Sequence, residues 1–260
     1  MAWHCKALSG NTVEPMQLVL LDKLICVNMA QMLIMDSGSR AGTCLSKKGG
    51  ERRVYTCARC GIHACSEEHP QQMPENCPMR HHTLFNEAIE QYQSPENHNF
   101  YIKASEIEAI GYGQWVRLRE TVELCKSMGY RRIGMAFCRG LRNEAKVIDS
   151  LLRRYGFEVV SVICKTGGIS KEKVGIPESG KLKPNQFEPM CNPIAQARLL
   201  NEQNTEFNIA VGLCVGHDSL FYKYSDALVT TLIAKDRVLA HNPVGAVYCA
   251  EGYFKAKLEP

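Results

Sequence analysis

From Arg131 onward the chain alternates two kinds of hydrophobic pattern. RIGMAFC, FEVVSVIC, FNIAVGLC and LVTTLIA are short runs, apolar on successive residues and rich in side chains that suit strands. Between them, LRNEAKVIDSLLRRYG and NPIAQARLLNEQN repeat their apolar positions at helical spacing. Strands apolar on both faces need cover on both faces, and helical segments of about 10 to 15 residues between them supply it. The pattern predicts an α/β fold: a small doubly wound, mostly parallel sheet with helices on both faces.

Upstream, residues 83–128 carry apolar and charged positions at helical spacing, as in WVRLRETVELCKSM, and predict a helical lead-in. Residues 54–82 hold a dense cluster of Cys and His and are expected to form a metal-binding module ahead of those helices. Residues 1–53 form an N-terminal extension, an apolar stretch followed by the polar, glycine-rich DSGSRAGTCLSKKGGERR. The domain division expected is therefore 1–53, 54–82 and 83–260. Within the apolar stretch Leu18 to Met35, Asp22, Lys23, Asn28 and Gln31 argue against a bilayer span, and no small-residue cleavage site marks a signal peptide.

Composition narrows the function classes. At 45% hydrophobic and 22% charged residues the chain is an ordinary globular protein, and a formal charge of +4 with interspersed acids leaves no electrostatic footprint for nucleic acid. Neither nucleic acid nor a membrane is expected as partner; an unidentified small molecule or metal is. Thirteen cysteines, without the spacing of a disulfide framework, point to a reducing cytoplasm.

The most specific motif is Cys57-x2-Cys60-x4-Cys65-x11-Cys77. A two-residue gap lets two thiolates reach one ion from a single turn, and two later cysteines close a four-ligand shell that suits zinc or an iron–sulfur cluster. His63, His69, His81 or His82 could replace one sulfur, and Cys77-Pro78 also fits a ferredoxin-like ending. Spacing leaves the metal open, and unrelated or bridged cysteines are the plainer alternative.

A second set follows from the rule that ligands sit beyond the carboxyl ends of parallel strands. Cys138, Cys164 and Cys214 end predicted strands, and Cys191 precedes Asn192-Pro193, a good helix start. These four thiols, with His217 and Asp218 opening a helix, are candidates for a second metal, a cluster or a reactive thiol site; Cys214, His217, Asp218 and Cys191 are the catalytic candidates. The alternative is that the strand-end thiols merely fill the core. Gly212-x-Cys214-x-Gly216 also has the nucleophile-elbow pattern with sulfur for oxygen, and Asp236 and His241 follow in hydrolase order. Lys235, Asp236 and Arg237 could equally stabilise a loop. The long segment Lys165 to Met190, with five lysines and four glycines, could be a mobile lid over an anionic ligand or a solvated loop. No dinucleotide or Walker pattern occurs.

Taken together, CARCGIHAC with Cys77-Pro78, GMAFCRGLRNEAK, GFEVVSVICK, QFEPMCNPIAQA, FNIAVGLCVGHDSLFYKYS and AKDRVLAHNPVGAVY resemble a family of uncharacterised metal-binding proteins, a cysteine-rich domain of unknown function from archaea and anaerobic bacteria. The resemblance runs from about Tyr55 to Leu258, and Ala227-Leu228 departs from an expected Ala-Pro. Residues ahead of it fall outside, with Met29, Met32 and Met35 as later starts. It implies a metal at Cys57, Cys60, Cys65 and Cys77 and makes the strand-end cysteines part of the family pattern. The function expected is redox or sulfur and metal handling. The alternatives are a binding module with a structural zinc and an anionic small-molecule pocket, or a hydrolase with Cys214 as nucleophile.

Overall fold

A computed structural model describes residues 54–68 and 72–260. The N-terminal extension and His69 lie outside the described residues. The chain divides into two compact units between His81 and His82.

In the first unit, three 3-10 turns, Cys57–Arg59, Ala64–Ser66 and Pro78–Arg80, are joined by side-chain ties. Asn76 Nδ2 donates to the Val54 carbonyl at 2.8 Å, and Arg80 donates to the carbonyls of Met73 and Pro74. Ala64 is the one buried residue among those described there. The described part of this unit is short and supplies little apolar burial of its own.

The second unit opens with helices α1 (His82–Tyr92), α2 (Pro95–Gly111) and α3 (Arg117–Ser127). Then come β1 (Arg132–Phe137), α4 (Arg142–Arg154), β2 (Glu158–Ile163), α5 (Pro193–Glu202), β3 (Phe207–Val211), α6 (His217–Tyr224) and β4 (Val229–Ile233). Two short helices, α7 (Val244–Tyr248) and α8 (Lys255–Leu258), end the chain. The sheet order is β2-β1-β3-β4, every pairing is parallel, and so the predicted α/β architecture holds. The chain steps from β1 out to β2 and then returns past β1 to β3. The strand order therefore reverses between β1 and β3, which opens a crevice at their carboxyl ends.

The two-residue period of the strands builds a core on each face. On one, Ile133, Met135, Phe207, Ile209 and Val211 pack with Val122 and Cys125 of α3 and Leu141, Ile148 and Leu152 around α4. On the other, Ala136 and Ala210 meet Ala197 and Leu200 of α5 and Phe221 of α6. Small strand residues on this second face let α5 come close. Gly134 lies on the same face, where a Cβ would stand 1.9 Å from Asn208 Oδ1. That oxygen accepts from Thr205 Oγ1 at 2.8 Å, while Asn208 Nδ2 donates to Ser225 Oγ at 2.8 Å, so a fully buried amide is satisfied at both ends.

The segment between β2 and α5 departs from the lysine lid weighed above. Lys181 is buried against Glu172 and Glu178, and Lys171 pairs with Glu188 at 2.7 Å. Glu188 also accepts the amides of Leu182 and Lys183, and an isolated bridge joins Ser170 to Pro189. Two of the five lysines thus serve the loop's own ion pairs, a use that glycine and lysine counts do not reveal.

Candidate functional site

In the first unit the four cysteines are all unburied: Cys57 and Cys65 exposed, Cys60 and Cys77 half-exposed. Cysteine is ordinarily among the most buried residue types, so core filling does not explain them. Cys57, Cys60 and Cys77 line one small cavity of about 20 Å3 with Thr56, Pro74, Asn76 and Pro78; Cys65 is outside its lining. His63 adopts a left-handed backbone at φ 55°, and the amides of Ile62 and His63 bond Cys60, which holds its thiol pKa below the ordinary value. Amides aimed at a sulfur favour thiolate. The donor chemistry fits a zinc or iron–sulfur site. Even so, among the described residues no three Cys, His, Asp or Glu side chains are gathered closely enough to coordinate an ion.

In the second unit the strand ladder itself brings two thiols together. Phe137 and Ile163 are register partners of β1 and β2, and the next residues are Cys138 and Cys164. The Cys164 amide donates to the Phe137 carbonyl at 2.9 Å, and the Asn192 amide to the Cys164 carbonyl at 2.8 Å, which brings the Cys191 segment alongside. Gln196, fully buried on α5, donates to the carbonyls of Phe137 and Val162 at 3.3 and 2.7 Å and clamps the ends of both strands. After β1 the chain turns, and two successive amides point at sulfur: Arg139 to Cys164 Sγ at 3.3 Å, Gly140 to Cys138 Sγ at 3.4 Å. Consecutive amides of this kind form an anion-binding concavity.

The three sulfurs form a row. Cys164 hydrogen-bonds Cys138 on one side and Cys191 on the other. The Cys164 bond, with the Gly140 amide and the Lys235 ammonium, holds Cys138 down to about 4, although burial opposes it. Cys191 is held down to about 5 by its own Cys164 bond and by the charges of Lys165 and His217. Cys164 is pushed up by its interactions with Cys138 and Cys191 and by burial. The two outer thiols are thus biased towards thiolate and the central one towards its protonated form.

Cys214 takes no part in these sulfur contacts. It lies in the turn between β3 and α6, so the strand–turn–helix context of an elbow is present, but its Sγ accepts from Arg237 Nη2 at 3.0 Å. Its carbonyl takes the amides of His217 and Asp218. Gly212, at φ +59°, leads into that turn where a Cβ would strike Leu141 at 2.7 Å. Asp236 and His241 are engaged locally: the Asp236 carboxylate accepts the amides of Val238 and Leu239, and His241 Nδ1 accepts the Asp236 amide at 3.1 Å. Asp218 accepts the amide of Ser219, and His217 Nδ1 is buried with no hydrogen-bond partner among the described residues.

Sequence reasoning had Lys165 only in a lid and Lys235 only in a loop, and it left Gly140 and Gln196 without a role. The carboxyl-end rule applied to β4 would have found Lys235, two residues past Ile233. Nothing in the sequence marks Gln196, because its partners are main-chain carbonyls of other strands.

None of the described helices is long and apolar enough to cross a membrane. Comparison with known proteins finds an uncharacterized protein of Methanocaldococcus jannaschii that is 49% identical over 171 residues, covering 66% of this chain and 86% of that protein. Residues 77–232 match a family described as protein of unknown function (DUF1847), a span that holds Cys77, Cys138, Cys164, Cys191 and Cys214. On both grounds the chain belongs to that family of unknown function, as its motifs led one to expect.

Proposed function

We propose that this protein performs thiol chemistry at Cys138, Cys164 and Cys191, as a redox or sulfur-handling protein of the reducing cytoplasm, and that Cys57, Cys60, Cys65 and Cys77 hold a structural zinc or iron–sulfur centre. The observation that carries the reading is the meeting of three thiols at the carboxyl edge of the sheet, where Cys164 interacts with both Cys138 and Cys191, the two flanking thiols lowered and the central one raised. Cys138 and Cys164 belong to the same apolar core as Cys125, but Cys125 is pushed up to about 12 by burial, whereas Cys138 is lowered. A thiolate is the nucleophile in disulfide exchange and a neighbouring thiol resolves the product. Cys138 and Cys164 follow register partners on strands about 4.8 Å apart, within the roughly 4.4–6.8 Å Cα range of disulfides.

In this reading Cys138 and Cys191 are the sulfur nucleophiles, Lys235 and Lys165 hold their charge, and Gln196 positions the strand ends. A metal at the four-cysteine module would supply a cross-link where, among the described residues, only Ala64 is buried. The test is mild oxidation of the reduced, metal-loaded protein followed by peptide mapping. The expected product is a disulfide joining Cys164 to Cys138 or to Cys191; oxidation confined to other cysteines rules the site out.

A further inference from the structure

One cavity lies next to the row, with Gly140 between them. About 200 Å3 in volume, it is lined by Arg139, Gly140, Arg142 and Asn143. Gly140 is the shared wall: its amide bonds Cys138 Sγ, and a Cβ there would lie 3.8 Å from that sulfur and 3.4 Å from Lys235 Nζ. Cys138 itself is outside the lining and only 8% exposed, so its sulfur adjoins the cavity through Gly140. The side chains of Arg139, Arg142 and Asn143 are exposed and make no hydrogen bond or ion pair with any described residue. Glu144, the acid of the same helical turn, is not in the lining. Two free guanidinium forks and a carboxamide beside a thiolate make a site for an anion, and a guanidinium pairs with a carboxylate through two parallel bonds.

We propose that the thiol site takes a small disulfide with anionic arms, one arm held by Arg139 and Arg142, and that Cys138 is the attacking sulfur with Cys164 resolving. The proposal rests on the thiol reading above. Cys138 thiolate attacks the nearer sulfur of the substrate; the substrate S–S bond breaks, and one arm leaves as thiolate with the bonding pair. The product is a mixed disulfide between Cys138 and the second arm. Cys164 then attacks Cys138 Sγ and passes its proton to the second departing arm. Two electrons move from the two cysteines to the substrate, which ends as two reduced arms, and the protein ends with a Cys138–Cys164 disulfide. The cavity's volume, roughly that of seven liquid waters at about 30 Å3 each, suits one short arm rather than a peptide.

The experiment uses the reduced, metal-loaded full chain in single turnover with two disulfides of similar size and opposite charge, dithiodipropionate and cystamine. Each rate is divided by that of the same reagent with N-acetylcysteine. The expected result is at least a tenfold normalised preference for dithiodipropionate, which falls to a third or less in Arg139→Gln/Arg142→Gln and persists in Arg198→Gln, an exposed arginine elsewhere. Cys164→Ser should trap one arm on Cys138, seen by mass mapping. Reaction at Cys138 without a charge preference, or a preference unchanged in the double variant, overturns the anionic substrate and leaves the thiol reading standing. An arm trapped on Cys191 or Cys214 instead overturns the assignment of Cys138. If no cysteine of the row reacts with either reagent, both the inference and the thiol reading fall.

Discussion

At the scale of single residues, the site depends on how charge and hydrogen bonds divide three chemically identical side chains. Cys138, Cys164 and Cys191 start from the same thiol, yet the central one, buried between two sulfurs, is raised and the two that also meet amides or cations are lowered. Lys235 is the cation beside Cys138, so Lys235→Met removes an opposite charge and the Cys138 thiolate becomes harder to form. An opposite charge at close range is worth about one unit or more, and we expect the Cys138 labelling midpoint to rise by about that amount while Cys191 holds, measured by alkylation against pH with mass mapping. At this scale the sequence was only partly legible. Strand-ending cysteines stand out in the pattern, but Cys214 looked equal to the others and is paired with Arg237 instead. Which sulfurs meet is decided by strand order, and strand order is absent from a local pattern.

At the scale of elements, alternating patterns were enough to predict parallel strands with helices on both faces, because burial on both sides leaves a continuous apolar run. The β2-β1-β3-β4 order was not readable, since nothing local distinguishes a crossover to one side from a crossover to the other. The structure adds why the α5 face is lined with small residues: Gly134, Ala136 and Ala210 admit the helix that carries Gln196 to the strand ends. Gly134→Ala drives a methyl into Asn208 Oδ1, and overpacking of this kind costs about 1–3 kcal/mol. Urea unfolding should find that loss, with part of it recovered when Asn208→Ala is added, since the two changes share one contact.

At the scale of the whole molecule, the chain divides into two units that differ in what their described residues bury. Residues 82–260 have two apolar cores around a sheet, whereas residues 54–81 bury Ala64 alone among those described. Removal of metal by a chelator under reducing conditions is therefore expected to expose 54–81 to protease while the sheet-containing unit stays resistant; equal resistance of both would contradict a metal cross-link. The family match covers the thiol row and leaves Cys57, Cys60 and Cys65 outside it. The central claim is that row. The most direct test is the rate of alkylation at each cysteine of the reduced, metal-loaded protein as a function of pH. The account predicts that Cys138 and Cys191 label at a nearly constant rate from about pH 8 to 6 and slow only as pH falls towards their lowered values, with Cys164 far behind them throughout. If all three instead label with one ordinary midpoint of about 8.5, the thiols are independent and the account is contradicted.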